Sequence, residues 1–224
     1  MIVPTAPERF LVEFLPAFVA DIGGPSTPGN AGGAVGGASD AGARRARRPA
    51  GAGIAVRVVG VGEWTLHLAE RALRVSPGMA DDVALQLSVS ERDFEPLVVE
   101  PTRRALAASA SSQEAGASAE RALAARGLWT RLGRFDDETA DLLRRQEGRI
   151  LVRVDDGGTS RNVALTPGLQ PYSLDSAECC IDCELAALEA VQDKRKNPLD
   201  LFYEGQIRIT GDAQIALAMA GLFL

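Results

Sequence analysis

From Gln206 to Thr210 apolar and polar residues alternate, Ile207 and Ile209 standing between Gln206, Arg208 and Thr210, which is the period of a strand burying one face. The segment before it predicts a short helix over 198–203. Asn197 is placed to cap it, Pro198 sits where a missing N–H costs nothing, and Asp200 complements the helix dipole, while Gly205 ends the turn. After the strand, Gly211 supplies a turn and Asp212 an N-cap. The last helix is then apolar nearly all round. Ile215, Met219, Leu222 and Phe223 form one stripe, Ala213, Ala216, Leu217, Ala220 and Leu224 fill most of the rest, and only Gln214 beyond the cap is polar. A helix on a single core shows a polar face, so this one needs a second apolar neighbour: a ligand, another protein surface or more of its own chain.

Upstream, the pattern over 7–21 fits an amphipathic helix with Phe10, Phe14 and Phe18 on one side. Ile54–Val59, Glu63–Glu70, Ala72–Ser76 and Asp82–Ser88 read as four strands, for which a meander is the simplest topology. Ser90 begins a helix with Asp93 at its third position. The stretch 102–126 is Ala-rich, and 136–146 forms a short helix that Gly148 stops. The strand pattern then returns. Ile54-Ala-Val-Arg-Val58 aligns on Ile150-Leu-Val-Arg-Val154, and the same offset sets Val83, Leu85 and Leu87 on Cys179, Ile181 and Cys183, with Arg57 and Arg153 outward. Between these ends Trp64, Leu66 and Leu68 fall on Ser160, Asn162 and Ala164, whereas the apolar residues are Val163 and Leu165, so the second hairpin needs a one-residue shift.

Gly205, Ile207, Ile209, Gly211, Asp212, Ile215 and Ala216, preceded by NPLDLFYEG, resemble the closing motif of the sterol carrier protein type 2 (sterol-binding domain) superfamily, clearest over 178–224. That resemblance implies an α+β fold, a mostly antiparallel sheet covered by helices. The second half shows the family order: a helix, strands from Arg149, Thr159, Leu169 and Glu178, the helix Leu185 to Asp193, and the closing motif. The first half reads as a degenerate copy without that motif, giving a tandem repeat; the alternative is one composite domain with the two sheets side by side. The resulting organisation is an N-terminal helix (1–22), a flexible linker (23–53), a degenerate sterol-carrier-like half (54–132) and a sterol-carrier-like domain (133–224).

Composition adds limits. The 224 residues suit one large or two small domains, and a net charge of -6 argues against nucleic acid as the main partner. No apolar run approaches the ~20 residues of a membrane span. The stretch 10–20 is short, carries Glu13 and Pro16 and lacks a basic start, so a soluble cytoplasmic protein is expected. The linker 23–53 is Gly, Ala, Ser and Pro with Arg44, Arg45, Arg47 and Arg48, a composition expected to stay disordered.

Reactive chemistry is sparse. Cys180 and Cys183 have C-x-x-C spacing, but on a strand they point to opposite faces, which leaves Cys179 and Cys183 as core residues and no metal set. His67, the one histidine, has no nucleophile motif beside it, and the paired acids at 81–82, 136–137 and 155–156 fall at turns or caps. The expectation is a protein that is no enzyme and needs no cofactor. The family resemblance implies non-catalytic binding or transfer of a fatty acid, acyl chain, sterol or isoprenoid in a hydrophobic tunnel. Its candidate lining is Phe202, Ile207, Ile209, Ile215, Met219, Leu222, Phe223 and Ile181. The alternative is an accessory module whose last helix docks a partner enzyme or a second copy in a homodimer.

Overall fold

A computed structural model describes residues 3–17, 53–69, 72–113, 137–193 and 195–220. The linker expected over 23–53, Phe18, most of the Ala-rich stretch beyond Gln113, Leu222 and Phe223 lie outside the described residues. An N-terminal π-helical segment, α1 (Arg9–Phe14), precedes the strands β1 (Gly53–Val59), β2 (Gly62–Ala69), β3 (Ala72–Pro77) and β4 (Val83–Ser90). Helix α2 (Glu91–Phe94) runs through a π-helical stretch, Glu95–Val99, into α3 (Glu100–Gln113). Helix α4 (Asp137–Arg145), strands β5 (Ile150–Asp156), β6 (Thr159–Pro167) and β7 (Cys179–Glu184), and helix α5 (Leu185–Gln192) follow. The chain closes with α6 (Pro198–Tyr203), β8 (Ile207–Gly211) and α7 (Ala213–Ala220).

All eight strands join one mixed sheet in the order β3-β2-β1-β4-β6-β5-β7-β8. Two of its pairings, β1 with β4 and β5 with β7, are parallel; the others are antiparallel, so the fold is α+β with a mostly antiparallel sheet. The two halves meet through β4 and β6, where Leu87 faces Leu165 and Val89 faces Val163. This is the side-by-side arrangement of the two sheets.

The first four strands are not a meander. Strand β4 passes β3 and β2 to pair with β1, because Ile54, Ala55, Val56 and Val58 are all buried and demand a central strand. Strand β3, carrying the exposed Arg74, Ser76 and Pro77, suits the edge. Strands β2-β1-β4 and β6-β5-β7 share order and direction. Their hairpins differ in register. Ile54 faces Leu66, and a constant offset would set Ile150 opposite Asn162; Ile150 in fact faces Leu165, an odd step further that turns Val163 and Leu165 inward.

One face of the sheet carries the apolar core in three linked clusters. Phe10, Phe14 and Phe94 pack over Val56, Trp64 and Leu66, with the Phe10 and Phe94 rings edge-on at 5.7 Å. Ile215 and Ala216 of α7 lie against Ile150, Leu165 and Cys179, while Leu201 of α6 and Ala187 of α5 cover Val154 and Cys183. The other face carries polar residues beside Ala55, Leu151 and Ala164 and is buried at its centre as well. Thr65, Gln86, Ser88 and Thr166 are almost fully buried there.

Part of the cover over that face corrects a second expectation. The strand expected from Leu169 is absent, and residues 168–178 form a strap, because Gly168 turns at φ +58° and Pro167 and Pro171 have no N–H for a ladder. Gln86 Nε2 donates to the carbonyls of Gly168 (2.7 Å) and Gln170 (2.9 Å), Asn162 Nδ2 donates to that of Leu174, and the Arg57 guanidinium lies 4.1 Å from the Tyr172 ring centre.

Candidate functional site

The closing motif is built around Glu178. Its carboxylate accepts from the backbone N–H of Arg149 and from that residue's guanidinium in a bidentate pair, with Nη2 to Oε1 at 2.8 Å. The pair holds the Glu178 carboxyl down at about 2. The Glu178 carbonyl in turn accepts from Asp212 N at 2.8 Å, and Gly211 passes so close that a Cβ would overlap that oxygen. With φ +85° Gly211 is fit for glycine on both counts. Asp212 Oδ1 accepts from Gln214 N at 2.9 Å, which starts α7. At the other end, Asn197 Oδ1 accepts from Leu199 N and caps α6.

An open groove of about 810 Å³ lies at the ends of β5 and β7 and the start of β8. Val154, Cys183 and Ala187 reach it from the third core cluster. Arg153, Asp155, Asp182, Glu184 and Arg208 are its charged members. Arg153 Nε is 2.7 Å from Asp182 Oδ1, and Asp155 faces Glu184 across the parallel pair. An apolar floor with a charged margin suits an amphipathic guest. Burial pushes the Cys183 thiol up to about 11, and Cys179 is raised for the same reason, so both are protonated core residues at neutral pH. Cys180 lies on the opposite face.

Among the residues expected to line a ligand site, Ile181, Ile209 and Ile215 come together around Cys179 on the core face. Ile207 packs near Cys183 in the neighbouring cluster. Phe202 does not join them: it is 43% exposed on α6, edge-on to the Tyr203 ring at 5.8 Å. Met219 belongs to α7, but its side chain, with Leu222 and Phe223, lies outside the described residues. Sequence parity set Arg153 on the outward face but did not reveal the groove. The bend that forms it brings Gly205 and Gln206 beside the end of β7, a contact that local periodicity does not carry.

His67 faces Asp82, with Nε2 at 3.0 Å from both carboxylate oxygens, and holds the turn before β4. No cluster of metal-ligating side chains occurs among the described residues, and no described helix is long and apolar enough to cross a membrane.

The fold and the closing motif define an α+β protein whose C-terminal half ends on a strand, a Gly-Asp turn and an apolar helix. Residues 130–224 match the family model of the SCP-2 sterol transfer family, the same family that the closing motif resembles. Among solved structures the chain is similar to sterol carrier protein 2 from Yarrowia lipolytica in its apo form, with 14% identity, 39% of this chain and 74% of that chain covered, and a TM-score of 0.31. It is also similar to sterol carrier protein domain 2 of Helicoverpa armigera, with 15% identity, 39% and 74% covered, and a TM-score of 0.32. For sterol carrier protein 2 like 2 from Aedes aegypti the identity is 16%, 42% and 94% are covered, and the TM-score is 0.28. No curated protein matches the chain.

Proposed function

We propose that this protein binds or transfers a hydrophobic ligand, a fatty acid, acyl chain, sterol or isoprenoid, without chemical conversion. The observation that carries the reading is the match of residues 130–224 to the SCP-2 sterol transfer family. The groove supports it, since Val154, Cys183 and Ala187 on its floor belong to the same apolar cluster that Ile207 packs against. A ligand entering there is held along the core face of the sheet by Ile207, Ile209, Ile181 and Ile215. At ~0.8 kcal/mol per CH2 an enclosed long chain gains on the order of 10 kcal/mol from burial alone. Affinity then follows chain length more than head group. The first half, read as a degenerate copy of the second, serves as support for the sheet and not as a second site.

Titration with a fluorescent fatty acid tests this reading. Saturable binding that long-chain acids displace, and that Ala187→Trp at the groove floor weakens at least tenfold, is expected. Absence of saturable binding by any acyl, sterol or isoprenoid probe would refute it.

A further inference from the structure

Strand β8 is the last strand of the sheet, and among the described residues nothing pairs with its outer edge. Asp212 N donates to Glu178 O. In an antiparallel ladder the residues in step with Asp212, namely Thr210 and Arg208, therefore turn their main-chain groups toward β7, and Ile207, Ile209 and Gly211 turn theirs outward. Edge strands are ordinarily blunted by shortness, charged side chains, proline or a bulge. The opposite edge, β3, ends on Pro77, whereas β8, five residues long, has no proline or bulge and carries one charged side chain, Arg208.

Exposed apolar side chains stand at both ends of this edge. On α6, which packs near Ile207, Leu199 is 47%, Phe202 43% and Tyr203 83% exposed, while Leu201 on the opposite side of the helix is fully buried. Leu217 of α7, which begins just after Gly211, is 65% exposed. Both helices cover the same face of the sheet, α6 at the Cys183 end of β7 and α7 at the Cys179 end.

We propose that β8 pairs antiparallel with β8 of a second copy of this chain, about a two-fold axis through Ile209, joining two eight-stranded sheets edge to edge. That register sets Ile207 opposite Gly211 of the other copy, so each outward group of β8 finds a partner. A two-fold perpendicular to the sheet keeps the helices of both copies on one face. It brings α6 of one copy beside α7 of the other, so that Leu199, Phe202 and Tyr203 meet Leu217. One operation thus covers both patches. The charges agree as well. Arg208 makes no ion pair among the described residues, and in this register it stands diagonal to Asp212 of the other copy, within reach of a long side chain.

Light scattering on the eluting full-length chain, over a concentration series to hundreds of micromolar, tests the pairing. The wild type is expected to approach twice 23.6 kDa at the upper end. Phe202→Asp, Leu217→Asp and Arg208→Asp alter exposed side chains and should each move the midpoint at least tenfold toward monomer, with an unchanged circular dichroism spectrum. A wild type that stays monomeric throughout overturns the proposal, and so does a dimer that all three variants leave intact.

Discussion

Gly211 and Glu178 decide how the final helix enters. At φ +85° an L side chain costs about 1–2 kcal/mol, and the Glu178 carbonyl in its path adds to that. Gly211→Ala should therefore lower the free energy of unfolding by at least this amount, seen as a lower urea midpoint at an unchanged m-value. The acid limb follows from Glu178, whose carboxyl is held at about 2 against an ordinary 4.5, first by its bond from Arg149. Because the folded value is depressed, its contribution is complete above about 4.5 and disappears as pH falls toward 2. The side chain is 46% exposed, so the contribution is that of a screened surface pair, up to about 1 kcal/mol. In Glu178→Gln, stability measured by denaturation should fall less steeply across that interval than in the wild type. The thiols give a third check. Cys183, raised to about 11, and Cys179, raised and buried, should resist a maleimide at neutral pH, and the half-buried Cys180 should react first by mass mapping.

Elements with complete local signals were legible. Asn197, Pro198 and Asp200 announced α6, and Ser90 with Asp93 announced α2, whose Ser90 Oγ accepts from Asp93 N. Alternating Ile207 and Ile209 announced β8. What local signals lacked was the path of the chain between elements. The parallel pairing of β1 with β4 depends on β1 being buried on both faces, and the strap depends on donors far away in sequence, Gln86 and Asn162. The groove was hidden for the same reason, since its margin combines the ends of three strands and the start of α5. Gln86 gives the strap its test. Gln86→Leu leaves the Gly168 carbonyl without its buried donor, a loss of about 1–3 kcal/mol. Faster amide exchange confined to 168–178 should accompany it.

For the whole molecule, the continuous sheet makes the halves interdependent. Removing residues before 133 uncovers the edge of β6 that β4 pairs, together with Leu165 and Val163 opposite Leu87 and Val89. The fragment 133–224 expressed alone should consequently aggregate under conditions in which the full chain stays in solution. Its closing helix has one side on the core through Ile215 and Ala216, and Leu217 lies open on the other. The most direct test of the central claim, hydrophobic ligand binding, is native mass spectrometry of the full-length protein purified without detergent. An added mass that organic solvent releases as an acyl, sterol or isoprenoid compound is expected. A bare chain that gains no mass when these compounds are supplied would contradict the claim.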